Sequence, residues 1–238
     1  MNMHMKEICF TEGEYTVKTL SLPGEMEAAF KLRHDVFAGE LQWVPLSTDG
    51  LDKDAYDDFA VPIGIFDDDG VLIGHVRLIY SPYPFMIEKE FASLLPEGGM
   101  FGKTASMVES TRICIRKEAR KDQHGAMGLS HLLYKALYHW SRLNGQSRMV
   151  TIVEQRYFLL LKRSRFPFEL SGDFKPLGKG VMSGIIILDW GRFDAELSVK
   201  RPEFYEWFTG TWIKRQALNK AANAQIPIHT RSQPHAAY

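Results

Sequence analysis

The chain has 238 residues, of which 45% are hydrophobic and 24% are charged, an ordinary composition for a globular protein. Its 29 lysines and arginines balance its 29 acidic residues, so net charge does not favour nucleic acid as a partner. The two cysteines, Cys9 and Cys114, form no CxxC metal motif and suit a reducing compartment. No stretch approaches the roughly 20 apolar residues of a membrane span, and the N-terminus has no signal-peptide pattern. We therefore expect a cytoplasmic protein that forms either one large domain or one domain plus an appendage.

The first forty residues are predicted to form one strand and one helix. Weak alternation of apolar residues over 7–20 predicts the strand, and Pro23-Gly24-Glu25 begins a helix that runs to about Gly39. Arg33 and Phe37 lie on one face of this helix, because residues four apart are neighbours. Arg33 therefore either lies at the edge of the core with its charge in water or points at an anionic group.

An acidic segment at residues 52–58 follows an irregular stretch and contains Asp52, Asp54 and Asp57. It does not fit a calcium loop, since Asp57 replaces the glycine of the sixth position and Ile63 replaces the acid of the twelfth. The segment is either a solvated loop or a rim that receives a cation.

Two strands at 61–66 and 71–80 are predicted to form a hairpin around Asp67-Asp68-Asp69-Gly70. A short helix is predicted at 86–95, after two prolines.

The central predicted element is a buried strand at 106–115, which carries Glu109 and Arg112. Side chains three positions apart on a flat strand point to opposite faces. We therefore expect one of the two side chains to point into a cleft and the other to hold an element that packs on the opposite face. Buried ions are rarely unpaired, because burying a lone charge is costly. The pair is thus either a structural salt bridge or part of a functional site.

A basic turn and the strongest amphipathic helix of the chain come next. The helix has strict i, i+3, i+4, i+7 spacing from Leu129 to Trp140 and ends at Asn144-Gly145. In the turn, Gln123-x-Gly125-x-x-Gly128 is either a phosphate-binding loop at a helix start or a glycine-bearing loop without a ligand.

The remaining elements are predicted from short apolar runs. They are a strand at 149–153, a helix at 157–161, a strand at 181–189 and an aromatic-rich helix at 202–216. From about residue 221 the chain is polar and is expected to be mobile. We place one large domain at residues 1–195 and a C-terminal helical extension with a mobile tail at 196–238.

Five short motifs occur in order along the chain. They are Arg33-x-x-x-Phe37-x₅-Trp43, Asp52-x-Asp54-x-x-Asp57, Gly74-x-x-Arg77-Leu78, Phe91 and Glu109-x-x-Arg112. Their order and spacing, over about residues 25 to 190, resemble the acyl-homoserine-lactone synthases, the LuxI-type autoinducer synthases. One departure is Asp52, where the family usually carries Glu, so that the charge is kept and the reach is shorter.

The resemblance implies an α/β (α+β) fold like that of the GNAT acyltransferases. This is a three-layer α/β/α arrangement with a twisted, mostly antiparallel mixed central sheet, splayed to admit a phosphopantetheine arm. The implied reaction transfers an acyl group from acyl-carrier protein to S-adenosylmethionine, closes a lactone and releases methylthioadenosine, for quorum sensing. No permanently bound cofactor or metal is implied: S-adenosylmethionine is a substrate, and phosphopantetheine arrives with the donor.

The resemblance and the chemistry of the substrates together assign roles to the motif residues. Catalytic roles fall to Glu109, Arg112, Asp54 and Asp57, with Glu109 as the base that takes a proton from the amine. Substrate binding falls to Arg33, Phe37, Trp43, Asp52, Arg77 and Phe91. The aspartates would meet the positive charges of the substrate and Arg33 or Arg112 its carboxylate.

Structural roles for the same residues stay open at this point. Arg77 and Arg112 could equally brace the acidic segment, and Phe37 and Phe91 could be core residues. Basic residues provide a candidate docking surface for the acidic carrier protein, if they are not simply solubilising: Lys117, Arg120, Lys121, Lys162 and Arg163.

Two alternatives accompany this interpretation. One is an N-acyl amino acid synthase of GNAT fold, which would use the same carrier-bound donor with a free amino acid and form no lactone. The other is a non-catalytic module that binds an acyl carrier or an adenosyl ligand.

Overall fold

A computed structural model describes residues 5–96, 102–121, 128–178 and 180–210. The strands are β1 (Cys9–Glu12), β2 (Tyr15–Thr19), β3 (Val61–Phe66), β4 (Leu72–Tyr80), β5 (Met107–Ile115), β6 (Arg148–Glu154), β7 (Glu169–Leu177) and β8 (Val181–Asp189). They form one sheet in the order β1-β2-β3-β4-β5-β6-β8-β7. Among these strands only the β5–β6 pair is parallel.

The helices are α1 (Pro23–Arg33), α2 (Met86–Lys89), α3 (Gly128–Leu143), α4 (Gln155–Arg163) and α5 (Trp190–Lys200). A π-helical segment, His34–Glu40, continues α1 directly. A further helical segment covers residues 202–210. In the described part of the chain, no helix combines the length and apolar character needed to cross a membrane.

Alternating side chains of β4 place packed elements on both faces of the sheet. Val76 and Leu78 are fully buried in the core cluster that also contains Leu133 of α3. Ile79 is buried in a second cluster, with Ile87 of α2. Because neighbouring strand residues point to opposite faces, the sheet lies between two layers. The predicted three-layer α/β class with a mixed, mostly antiparallel sheet is confirmed.

The parallel pair opens within the sheet. Its ladder runs from Met107↔Arg148 to Glu109↔Val150, and both strands then continue for several residues without further pairing to each other. At the point of divergence, the Thr151 hydroxyl donates a hydrogen bond to the Ser110 carbonyl at 2.9 Å. This divergence is the splay that the resemblance implied.

Two predicted elements were wrong in detail. Residues 7–20 form two strands rather than one, because Gly13 adopts φ +59° and turns the chain back on itself. The single helix predicted at 86–95 is divided into α2 and a 3₁₀ turn at Ala92–Leu94. The division falls at Phe91, whose φ of −119° and ψ of 24° are not helical.

The C-terminal elements belong to the main core. Leu197 of α5 is buried in the same cluster as Trp190, and Phe204 and Phe208 of the 202–210 segment join it. The helix predicted at 202–216 is confirmed over 202–210, and its remainder lies outside the described residues. Residues 123–127 of the predicted glycine turn also lie outside the described residues, and Gly128 begins α3. The domain boundary at residue 195 stays a prediction, and α5 runs across it.

Candidate active site

Three arginines from three different elements converge on the acidic segment. Arg33 ends α1, whereas Arg77 and Arg112 lie on the adjacent strands β4 and β5. The segment is fixed to α1 by the Asp52 amide, which donates to the Phe30 carbonyl at 3.0 Å. The helix and the centre of the sheet therefore determine where the aspartates lie.

Arg33 is the arginine that joins the two ends of the segment. Its side chain is 1% exposed, and its Nε lies 3.0 Å from Asp52 Oδ2. Its Nη1 and Nη2 lie 2.7 and 3.3 Å from the two carboxylate oxygens of Asp57, a bidentate pair. Of the two roles that the sequence left open for Arg33, the structure shows the second, with the protein's own carboxylates as the anionic partners.

Arg77 connects the segment to the sheet and to α2. Its Nη1 lies 2.5 Å from Asp54 Oδ1 and 2.8 Å from Asp57 Oδ1. Its Nε donates to Thr111 Oγ1 at 3.0 Å, and its Nη2 lies 3.1 Å from the Met86 sulfur. Burial opposes the charge of Arg77, yet the two aspartates raise its pKa above the ordinary value.

Arg112 reaches the same cluster through an irregularity in β5. Between the pairs His75↔Cys114 and Arg77↔Thr111, β5 advances one residue more than β4, and Arg112 has φ +51°. This bulge turns its guanidinium to Asp52 Oδ2 at 2.8 Å and Asp54 Oδ2 at 3.3 Å. The expectation that Glu109 and Arg112 serve opposite faces was wrong, because it assumed a flat strand.

The cluster is electrically balanced, with three guanidinium groups facing three carboxylates. Burial alone would raise the pKa of Asp52, but its hydrogen bonds to Arg112 and Arg33 hold that pKa below its ordinary value. Asp57 has a lowered pKa for the same reasons, with Arg33 and Arg77 as partners. Although the side chain of Asp52 is shorter than that of a glutamate, it contacts both Arg33 and Arg112. In the described ranges, no three His, Cys, Asp or Glu side chains are grouped as metal ligands would be.

Glu109 lies next to this cluster and is 1% exposed. Its Oε2 and Oε1 accept hydrogen bonds from the Met86 and Ile87 amides at 2.6 and 3.0 Å. Burial raises the pKa of Glu109 to about 7, against the effect of these two amides and of Arg77. Such a carboxyl group can take up and release a proton near neutral pH. Because Arg77 contacts both Met86 and Asp54, Glu109 and the aspartates share one neighbourhood.

Two aromatic side chains border the cluster on the α1 side. Phe37 lies on the π-helical segment, is 7% exposed and stacks 5.5 Å beneath the Arg112 guanidinium. Trp43 is 52% exposed, and its ring centroid lies 6.1 Å from that of Phe37. Phe37 is therefore both a core residue and a contact of the cluster, whereas Trp43 presents its ring to solvent.

Three residues of the site were not singled out from the sequence. Thr111 and Met86 contact Arg77, and the ring of Tyr56 lies 5.7 Å from its guanidinium carbon. Tyr56 stands between Asp54 and Asp57 in the acidic motif, so its position offered a signal. Phe91 packs in the same apolar cluster as Tyr56.

The candidate docking residues occupy two places. Lys117 and Arg120 are exposed after β5, where Arg120 forms a bidentate ion pair with Glu40. Lys162 and Arg163 are exposed at the end of α4. The side chain of Lys121 lies outside the described part of the structure.

Comparison with known proteins gives a consistent result. A family model described as Autoinducer synthase matches residues 18–191. An acyl-homoserine-lactone synthase of Agrobacterium fabrum (strain C58 / ATCC 33970) is 30% identical over 168 residues, which cover 69% of this chain and 79% of the relative.

Solved structures share the fold. The crystal structure of the AHL synthase LasI has a TM-score of 0.64 at 19% identity, over 78% of this chain and 91% of that one. The CoA-dependent acyl-homoserine lactone synthase BjaI, solved with SAM and isopentyl-CoA, has a TM-score of 0.59 at 22% identity, over 72% of this chain and 80% of that one. The family model spans most of the chain and includes the whole arginine–aspartate cluster and Glu109. The chain therefore belongs to the autoinducer synthase family, a family of acyltransferase enzymes.

Proposed function

We propose that this chain is an acyl-homoserine-lactone synthase that acylates S-adenosylmethionine from a carrier-bound thioester and releases methylthioadenosine. Family membership supports the lactone synthase activity. One structural observation carries the rest: the balanced arginine–aspartate cluster lies beside a buried carboxyl group with a raised pKa, Glu109, at the divergence of β5 and β6.

Within the cluster, the groups most open to a substrate are Asp54 and Arg112. The side chain of Asp54 is 24% exposed, against 7% for Asp52 and 11% for Asp57. The side chain of Arg112 is 14% exposed, against 1% for the other two arginines. These exposures support the proposal that Asp54 faces the ammonium or sulfonium of S-adenosylmethionine and that Arg112 faces its carboxylate. Arg33 and Arg77 hold the aspartates in place.

The reaction requires a neutral amine, and Glu109 is the group proposed to remove its proton, directly or through one water. The amine nitrogen then attacks the thioester carbonyl and the carbon–sulfur bond breaks. The departing thiolate takes the proton that the nitrogen loses as it becomes an amide. The carboxylate of the acylated intermediate next attacks its own γ-carbon. The bond from that carbon to the sulfonium breaks, and methylthioadenosine leaves as a neutral product. The second step mainly requires a folded substrate conformation.

A carrier-bound donor is supported by the surface of α4. Lys162 and Arg163 are exposed beside Leu159 and Leu160, which are 57% and 55% exposed. A basic surface with apolar side chains suits an acidic carrier protein, whose docking is electrostatic and sensitive to salt. Arg120 would contribute less to the docking of an acidic protein, because Glu40 already neutralises its charge.

Charge reversal tests the donor assignment. Lys162→Glu should raise the KM for a carrier-bound thioester and leave the KM for the same acyl group on coenzyme A unchanged. Lys200→Glu, a reversal on the exposed part of α5, is the matched control. If both variants behave alike, α4 is not the docking surface. If the wild type prefers the coenzyme A thioester, the carrier assignment fails.

The function itself is tested by product analysis with the purified full chain. Carrier-bound acyl thioesters and S-adenosylmethionine are supplied, and free thiol, methylthioadenosine and acyl-homoserine lactone are measured. All three products are expected. Thiol release that requires a free amino acid and yields no methylthioadenosine would indicate an N-acyl amino acid synthase instead. Binding without any product would indicate a non-catalytic module.

A further inference from the structure

The conformation of Arg112 requires support that the strand ladder does not provide. Its φ of +51° lies in the left-handed region, which is unfavourable for a residue with a side chain. At a bulge one residue loses its regular partner in the ladder. The carbonyl group of Arg112, at a half-buried residue, is then without its regular donor, and a carbonyl that is removed from water without a donor is costly.

His75 supplies a donor at this position. It lies on β4, opposite Cys114 of β5, and is 1% exposed. Its Nδ1 lies 3.2 Å from the carbonyl oxygen of Arg112. Burial, together with the nearby charge of Arg33, lowers the pKa of His75 to about 3, so the ring is neutral at physiological pH.

A neutral imidazole carries one N–H, and its position follows from the partners. Since a carbonyl oxygen can only accept, Nδ1 must carry the proton. The other nitrogen, Nε2, is buried and has no hydrogen-bond partner among the described residues. The ring is therefore committed to the Arg112 carbonyl.

We infer that His75 is a positioning residue for Arg112, whose carbonyl it holds so that the guanidinium faces Asp52 and Asp54. Without this hydrogen bond the bulge is free to relax toward a regular ladder. A shift of one residue in a strand exchanges its two faces, which would turn the Arg112 side chain away from the cluster. This inference rests on the proposed role of the cluster in binding S-adenosylmethionine.

The test compares two substitutions at His75 with one at a second buried histidine. His75→Asn keeps an N–H donor near the position of Nδ1, and His75→Leu removes it at similar volume. His139→Leu is the matched control, since His139 is 4% exposed on α3 and is not part of the cluster. His75→Leu should raise the KM for S-adenosylmethionine about tenfold, the effect of roughly one lost hydrogen bond. His75→Asn should restore most of the loss, and the KM for the acyl donor should stay unchanged.

A purely structural role would give a different pattern. His75→Leu and His139→Leu would then lower activity alike, His75→Asn would not rescue it, and both substrates would be affected. Combination with Arg112→Ala separates the two cases further. If His75 acts through Arg112, its substitution adds little in that background, whereas a full tenfold effect there would overturn the inference.

Two readouts do not depend on turnover. ¹⁵N NMR of histidine-labelled protein should show His75 as the Nδ1–H tautomer, and the Nε2–H tautomer would overturn the inference. In urea unfolding, His75→Leu and Arg112→Ala should be coupled, and additive effects would contradict it. A wild-type protein that forms no lactone would refute the proposed function, while these two measurements would still decide the role of His75.

Discussion

Arg33 and Asp57 allow the balanced cluster to be tested as a unit. Arg33→Met removes a guanidinium from a site where its side chain is 1% exposed, and leaves three carboxylates facing two arginines. Breaking a buried ion pair in this way costs about 3–5 kcal/mol. Asp57→Asn should cost a similar amount, because it leaves three arginines facing two carboxylates.

The double variant Arg33→Met/Asp57→Asn restores neutrality. Its cost should therefore be about 3–5 kcal/mol rather than the sum of the two single costs. The coupling free energy should then be about 3 kcal/mol or more, at or above the upper end of the range for residues in direct contact. The partners of Asp57 hold its pKa below the ordinary value of 3.8 despite burial. The coupling is therefore complete above that value and is lost as the pH falls below it.

The assay is urea unfolding of the four proteins of the cycle, followed by circular dichroism and extrapolated to water. The same cycle at Arg192 and Glu196, a pair at the protein surface four residues apart on α5, is the control and should show no measurable coupling. If the free energies of unfolding at Arg33 and Asp57 add to within about 0.5 kcal/mol, the cluster does not act as one neutral unit.

Three further predictions concern the proton, the C-terminus and the packing of the sheet. Because burial raises the pKa of Glu109 to about 7, kcat/KM should fall about tenfold per pH unit below that value as the base becomes protonated. A pH–rate profile tests this, and the profile of Glu109→Gln should lack this decrease at acidic pH. Trp207→Phe removes an indole donor 2.8 Å from Glu12 and should lower the free energy of unfolding by about 1.5–3 kcal/mol, measured in urea, with the KM for S-adenosylmethionine unchanged. Gly64→Ala would bring a methyl group to 2.5 and 2.8 Å from two leucine methyls and should cost about 1–3 kcal/mol in the same assay.

Each of these has an outcome that would contradict it. A wild-type profile that stays flat from about pH 8 to pH 5 would exclude Glu109 as the titrating base. An unchanged stability of Trp207→Phe would mean that the bond to Glu12 does not hold the 202–210 segment. Gly24→Ala is the control for Gly64→Ala, since an added methyl meets nothing within 4 Å there, and equal losses at both positions would contradict the packing argument.

The sequence predicted best the elements whose pattern is strong and local. The hairpin of β3 and β4, the strand β5 and the helix α3 all combine a clear period with turn residues at their ends. Strand β7 was not predicted, since it lies at the margin of the sheet, half exposed, and Gly172 with φ +86° interrupts its alternation. The π-helical continuation of α1 also leaves no mark that distinguishes it from an ordinary helical turn.

The sequence indicated the residues of the candidate site more readily than it indicated which of them form ion pairs with each other. Charged residues within apolar elements drew attention to Arg33, Arg77 and Glu109, and spacing drew attention to the aspartates. Which arginine would bind which aspartate depended on the bulge at Arg112, and a bulge follows from the pairing of two strands rather than from either strand alone. For the same reason His75 could not be recognised before the register of β4 and β5 was known.

The opening between β5 and β6 has a consequence for inhibition. Beyond Glu109 the described strands β5 and β6 are no longer paired along their main chains, and the Thr151 hydroxyl donates to the Ser110 carbonyl there. The sheet therefore has unpaired strand edges in its interior as well as at its margins. An extended molecule that carries amide groups can pair with such an edge as an added strand would. Contacts of this kind are made by the main chain, which substitutions leave in place. A compound that reproduces the amide spacing of an extended strand should therefore leave the enzyme few routes to resistance by point mutation.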